Sequence, residues 1–255
     1  INDGSGGFSS RINIQVDSDT TRTVKLADLD KNNTLDLYAG NAGSNKVYLN
    51  DGLGNFLPGA DLGSNVDDTW AIKFADFNMN GSEDMLAGNP AGTLCLHINN
   101  GTGLLSTCDP VAGPGESGRV LAIGDVDGDF DVDIIFDNNA NSSQLYLNDG
   151  TARFTYQDSI TSGAGFISAA ALGDLDGDND IDYITGTTGM PVGSGTKFPQ
   201  IHLNNGLGEF GTGMQFGSNG DDTPAIALGD IDSDGDLDIV MGKLNSPMLV
   251  YENLN

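Results

Sequence analysis

Residues 229–238 read GDIDSDGDLD, with Asp230, Asp232, Asp234, Asp236 and Asp238 at every second position between the apolar runs IAL (226–228) and DIV (238–240). In an extended strand, alternate side chains share one face at about 7 Å spacing, too loose to hold one ion. Wrapped into a tight loop, the first, third, fifth and ninth residues converge and the seventh offers its backbone carbonyl. Gly235 fits the turning position of such a loop. Several hard carboxylate oxygens, able to approach a cation to about 2.3–2.6 Å, suit calcium better than magnesium.

The same register recurs four more times. Leading aspartates fall at Asp28, Asp76, Asp125, Asp174 and Asp230, at spacings of 48, 49, 49 and 56 residues, the last stretched by the Gly-rich insertion at 186–199. The third loop offers Asp125, Asp127, Asp129, Asp131 and Asp133, and the fourth Asp174, Asp176, Asp178, Asp180 and Asp182. The first has Asp28, Asp30, Asn32, Thr34 and Asp36; the second has Asp76, Asn78, Asn80, Ser82 and Asp84. An amide or hydroxyl oxygen coordinates without adding charge, so affinity is expected to fall from loops three to five, through one, to two. Phe130 stands where the other loops have Asn or Gly, a costly choice if that position is left-handed, with Gly128 the alternative source of freedom.

Each repeat reads as four short strands. The first alternates large residues (Leu26, Phe74, Ile123, Leu172, Leu228) with small ones (Ala27, Ala75, Gly124, Gly173, Gly229), as a strand with two different faces does. A second apolar strand follows the loop. A third has the pattern VYLN at 47–50, and a turn of the NDGLG type at 50–54 leads to a fourth strand at Phe56. No helical apolar period occurs, and four strands per unit at this period predict propeller blades. INDGSGGF at 1–8 reads as the turn and fourth strand of a blade lacking its first three, while LVYEN at 249–253 reads as the third strand of one lacking its fourth. The fold expected is therefore all-β: one closed five-bladed β-propeller over residues 1–255, four antiparallel strands per blade, the last blade completed by the N-terminal strand.

Composition narrows the partners. Ten Lys and Arg against 37 Asp and Glu give a formal charge of -27, which argues against nucleic acid or an anionic membrane surface and for cations. Five bound Ca²⁺ would bring it to -17 (-27 + 5 × 2), so up to five calcium ions are expected, holding the scaffold together. No apolar stretch reaches the length of a membrane helix. The chain starts at Ile1 without a signal peptide, as a processed product or an excised domain would.

The runs GDLDGD at 173–178 and GDIDSDGDLD at 229–238 resemble the FG-GAP/VCBS repeats of integrin α-subunit propellers, fungal and bacterial lectins and bacterial surface proteins. The resemblance spans essentially the whole chain and implies a calcium-binding propeller, with the ions on the loops joining first and second strands. Asn78, Asn80 and Glu83 in the second loop, and Asn32 and Asn33 in the first, depart from the pattern. Seven blades are common in the family, so five is unusual. Lectins, adhesins and modules attached to enzymes all use this fold, which alone does not choose between them.

Other residues bear on function. His97 and His202 share the third-strand register of Tyr48, Tyr146 and Tyr251, which favours packing over catalysis. No nucleophile–base or paired-carboxylate arrangement stands apart from the loops, so no catalytic residue is assigned. Cys95 and Cys108 are nearly symmetric about the turn at 99–102 and are expected to pair, as a secreted location would permit. The segments before each first strand lie on the face opposite the aspartate loops. There Arg22, Trp70 and Arg119 share one register, with Asp68 and Asp222 two residues ahead of it in their repeats. Trp70 suits stacking on a sugar ring, or plugging the central channel. The insertion, with Met190, Lys197 and Phe198, is expected to wall a pocket on that face. The leading expectation is a secreted or cell-surface binding module for a glycan. The alternatives are a protein-adhesion module, and an accessory or catalytic propeller of a polysaccharide-degrading enzyme.

Overall fold

The structure, a computed structural model, describes residues 13–14, 19–62, 68–89, 93–111, 118–137, 142–161, 166–188, 198–218 and 222–254. These form five antiparallel sheets in chain order, and no helix. Blade one comprises β1 (Thr21–Ala27), β2 (Asp36–Asn41), β3 (Lys46–Tyr48) and β4 (Ala60–Asp61). Blade two comprises β5 (Ala71–Ala75), β6 (Asp84–Gly88), β7 (Cys95–His97) and β8 (Asp109–Pro110). Blade three has β9 (Leu121–Gly124), β10 (Asp133–Asp137), β11 (Ser143–Asn148) and β12 (Phe154–Ser159). Blade four has β13 (Phe166–Gly173), β14 (Asp182–Thr188), β15 (Gln200–His202) and β16 (Met214–Gln215). Blade five shows β17 (Ala225–Gly229), β18 (Asp238–Gly242) and β19 (Leu249–Tyr251). The segment 1–8, expected to add its fourth strand, lies outside the described residues.

The fourth strands differ from expectation. Phe56, Leu105 and Phe210 make only single bridges to Asn50, Asn99 and Asn204, and the ladders resume as the two-residue strands β4, β8 and β16. In two of these blades a glycine passes close over a third-strand ring: a Cβ at Gly59 or Gly213 would lie 2.6 Å from the ring of Tyr48 or His202. The outer strand bows over that ring, at an edge that has no second neighbour to straighten it. His97 and His202 are accordingly buried, each donating from Nδ1 to an outer-strand carbonyl, Ser106 at 2.8 Å and Gly211 at 3.1 Å. Burial holds both imidazoles below their ordinary pKa, so both are neutral packing groups.

The core is laid down between blades. One apolar cluster joins Leu29 and Tyr38 to Ile72 and Met85; a second joins Phe77 and Leu86 to Ile134 and Phe136. A third joins Val126 and Ile135 to Tyr183, and a fourth joins Leu175 and Ile184 to Ile239 and Met241. The small residues ending the first strands make room for the next blade: a Cβ at Gly173 would stand 2.7 Å from Leu237 and 2.9 Å from Leu228. A disulfide joins Cys95 and Cys108, with Cα atoms 5.1 Å apart. Cys95 is registered with Pro110, so the bridge runs diagonally across the hairpin and not between directly opposed residues.

Candidate functional site

All five aspartate loops adopt one backbone. Counting the leading aspartate as position one, positions four and six have positive φ in every loop: Lys31 and Asn33, Met79 and Gly81, Gly128 and Phe130, Gly177 and Asn179, Ser233 and Gly235. The leading aspartate holds this shape by accepting the N–H of position six, as Asp125 does from Phe130 at 3.0 Å and Asp174 from Asn179 at 3.0 Å. The second loop keeps the same bond, Gly81 N–H to Asp76 at 2.6 Å, although Asn replaces two of its aspartates. The backbone cage is thus independent of the full carboxylate set.

The ninth aspartates are fully buried and join the loop to its blade. One oxygen accepts the N–H of position two, as in Leu29 to Asp36 (2.8 Å) and Val126 to Asp133 (2.9 Å). The other accepts the N–H of an asparagine ending the third strand: Asn50, Asn99, Asn148, Asn204 or Asn253, at 2.7–2.9 Å. That asparagine then reaches the preceding blade. Asn99 Nδ2 donates to the Leu29 carbonyl, Asn148 to Phe77, Asn204 to Val126 and Asn253 to Leu175, at 2.7–2.9 Å. Turn amides Gly103, Ala152 and Gly208 donate to the first three of those carbonyls at 3.0 Å.

Carboxylate oxygens converge in four loops to within 4.8 Å of one another: Asp28–Asp30–Asp36, Asp125–Asp127–Asp133, Asp174–Asp176–Asp182 and Asp230–Asp232–Asp234. Positions one, three and nine meet in three of these, and position five replaces nine in the fifth. The structure does not gather Asp129 and Asp178 into these trios; their Oδ1 atoms accept the N–H of Asp131 and Asp180 at 2.9 Å. Position seven is turned toward the hairpin, so that a Cβ at Gly52, Gly101, Gly150 or Gly206 would press on Thr34, Ser82, Asp131 or Asp180. The second loop offers Asp76 and Asp84 with amide oxygens from Asn78 and Asn80.

Electrostatics favour a cation. Burial pushes Asp133 up to about 7, and raises Asp36, Asp84 and Asp182 in the same direction. Asp127, Asp176 and Asp232 are raised by burial and then by the neighbouring carboxylates Asp129, Asp178 and Asp234. Asp127 Oδ1 is buried with no hydrogen-bond partner. An oxygen so placed costs free energy unless a proton or cation meets it. The donor set therefore fits a hard divalent ion.

At the opposite ends of the first strands, three of the five predicted ligand residues gather round Trp70. Arg22 and Arg119, from the two flanking blades, sit over its ring at 5.3 and 5.2 Å, geometry for cation–π attraction. Arg22 also pairs with Asp68 at 2.8 Å, which holds that carboxyl below its usual range. Asp222 sits apart, at the same register in blade five, its carbonyl accepting from Leu244. Trp70 is 45% exposed. Beside it opens a cavity of about 410 Å³, reaching from Trp70 and Arg119 to Phe166, Ile167 and Thr188. Of the insertion expected to wall a pocket here, residues 189–197, Met190 and Lys197 among them, lie outside the described residues.

The FG-GAP-like repeat pattern matches residues 28–87, 76–136 and 125–185, each match running from one aspartate loop through the next. The chain belongs to the FG-GAP-like repeat family. No curated protein sequence matches it. Among solved structures, this FG-GAP chain is similar to an Agrocybe aegerita lectin recognising non-reducing terminal N-acetylglucosamine, at 19% identity and TM-score 0.62, covering 91% of this chain and 66% of that one. It is similar to BBS1N in complex with ARL6DN, at 13% identity and TM-score 0.54, covering 88% and 63%. It also resembles an exo-β-1,3-galactanase from Phanerochaete chrysosporium, at 11% identity and TM-score 0.53, covering 88% and 56%. At these identities the likeness is one of fold, the β-propeller, and the FG-GAP chain spans less than two thirds of the length of each.

The loop alternation was visible in the sequence; the inter-blade asparagines were missed. Their signal was present, an Asn after each third strand at 50, 99, 148, 204 and 253, but it read as turn chemistry.

Proposed function

We propose that this chain is an extracellular, calcium-dependent propeller module that binds carbohydrate on the face opposite its aspartate loops. The observation carrying this reading is the half-exposed Trp70, flanked by Arg22, Asp68 and Arg119 beside a cavity of ligand size. Sugar sites combine apolar ring faces with a few fixed polar groups, and this rim has both. The fold shared with the N-acetylglucosamine-specific lectin is consistent with it. Calcium occupies the loops and sets the geometry of the rim through the rigidity of the blades. The disulfide Cys95–Cys108 and the acidic loops suit an oxidising, calcium-rich extracellular medium. We also propose that residues 1–8 complete blade five and that blade five meets blade one, closing one five-bladed domain over 1–255.

A glycan array probed with calcium-loaded protein, with and without chelator, tests the function. Binding that is lost with chelator and with Trp70→Ala is expected. Silence on every glycan, with capture of an extracellular protein instead, would move the assignment to an adhesion module, and turnover of a polysaccharide would move it to an enzyme.

A further inference from the structure

The fifth residue of each second strand is glycine in four blades: Gly40, Gly88, Gly186 and Gly242. At three junctions the reason is visible. A Cβ at Gly88 would stand 2.4 Å from the Gly118 carbonyl and one at Gly186 2.7 Å from the Thr223 carbonyl; one at Gly40 would meet Thr23 of its own blade at 2.8 Å as well as Ile72 and Thr69 of the next at 3.1 and 3.2 Å. Thr69, Gly118 and Thr223 share one register, seven residues before the leading aspartates, so each glycine lets the next blade's entry segment lie flat against it. Backbone bonds seal two of these seams, from Thr69 N–H to the Asn41 carbonyl at 3.2 Å and from Thr223 N–H to the Thr187 carbonyl at 2.8 Å. In blade three the residue is Asp137, and the residue facing it by register is Ile167. A side chain there cannot share the flat seam, and the cavity beside Trp70 opens at this junction, with Asp137 and Ile167 both in its wall.

We propose that Asp137 is the residue that makes this seam a binding pocket, and that the pocket takes the terminal ring of a neutral pyranose. This rests on the carbohydrate reading above. Among the described residues the wall carries one acid, the buried Asp137, and one cation, the exposed Arg119 guanidinium, which sits over Trp70. A vicinal pair of sugar hydroxyls matches that pairing, because each hydroxyl donates to a carboxylate and accepts from a guanidinium. A uronic acid would instead bring a second carboxylate against Asp137. Phe166, 47% exposed, supplies the apolar face for the ring's C–H side. Trp70, with guanidinium groups over its ring, orients Arg119 at the mouth of the pocket.

The decisive variant is Asp137→Gly, which installs the residue four blades already use. It is expected to keep or raise the thermal midpoint while weakening binding to neutral glycans at least tenfold. Arg119→Gln, at an exposed position, is expected to lose at least tenfold as well. The probe is the array above, carrying neutral glycans and their uronic-acid counterparts. Wild-type affinity in Asp137→Gly, alongside loss in Trp70→Ala, overturns the pocket assignment and leaves the carbohydrate reading standing. Binding confined to uronic acids overturns the neutral class. No binding to any glycan takes down both.

Discussion

Phe130 has a left-handed backbone, φ 72°, with its side chain 86% exposed, so no packing offsets the conformational cost of about 1–2 kcal/mol. The first and fourth loops fill this position with Asn33 and Asn179, a residue type that visits the region readily. Phe130→Asn is therefore expected to stabilise the calcium-loaded protein by about 0.5–1 kcal/mol, read as a higher urea midpoint at unchanged slope. An unchanged midpoint would show that the loop relaxes round Phe130 at no cost. The sequence marked position six as suspect but credited Gly128 with the relief; the backbone needs left-handed residues at both positions. Periodicity locates carboxylates and is silent on φ, which is why Lys31, Met79 and Ser233 at position four attracted no notice.

At the scale of the loop, the aspartates set the pH response. Acids whose folded pKa is raised bind more protons folded than unfolded, so stability falls as pH rises between the unfolded value near 4 and the folded value. Asp133 places the upper end of that window at about 7, and Asp36, Asp84, Asp127, Asp131, Asp176, Asp182 and Asp232 shift in the same direction. Asp51, Asp68 and Asp149 are lowered by hydrogen bonds, and their contribution is lost only below pH 4. In chelator, the thermal midpoint is expected to be at least about 3 °C lower at pH 8 than at pH 5. Calcium should raise it more at pH 8, where the sites are ionised; a calcium response independent of pH would exclude these loops as the binding sites. The blade seam adds a second expectation. Asn148→Ala removes donors from the Phe77 and Val132 carbonyls and is expected to cost about 2–3 kcal/mol in a urea titration.

The blade order and strand alternation were legible because each blade obeys the same local rules, whereas Asp137's effect depends on a neighbour roughly thirty residues ahead that only the assembled seam brings opposite. Whole-molecule closure is the same kind of question, and the two ends of the array bear on it directly. In blade one, Leu26 is 56% exposed; in blade five, Ile231 is 53% exposed where Leu29 and Phe77 are 0% exposed. These are the two flanks that every inner junction buries. They also carry complementary halves of the asparagine bond. The Ile231 carbonyl holds the register of the acceptors Leu29, Phe77, Val126 and Leu175, while among the described residues Asn50 Nδ2 donates within its own blade, to Leu35 at 3.1 Å. Gly54 holds the register of Gly103, Ala152 and Gly208 and would supply the second donor. If blade one seats on blade five, Asn50→Ala should cost as much as Asn148→Ala. Leu26→Asp should then be as damaging as burying an unpaired charge, and small-angle scattering should give a closed disc. If Asn50→Ala costs about half as much and Leu26→Asp leaves the midpoint unmoved, the arc is open, and the two flanks are seats for further blades of the same repeat.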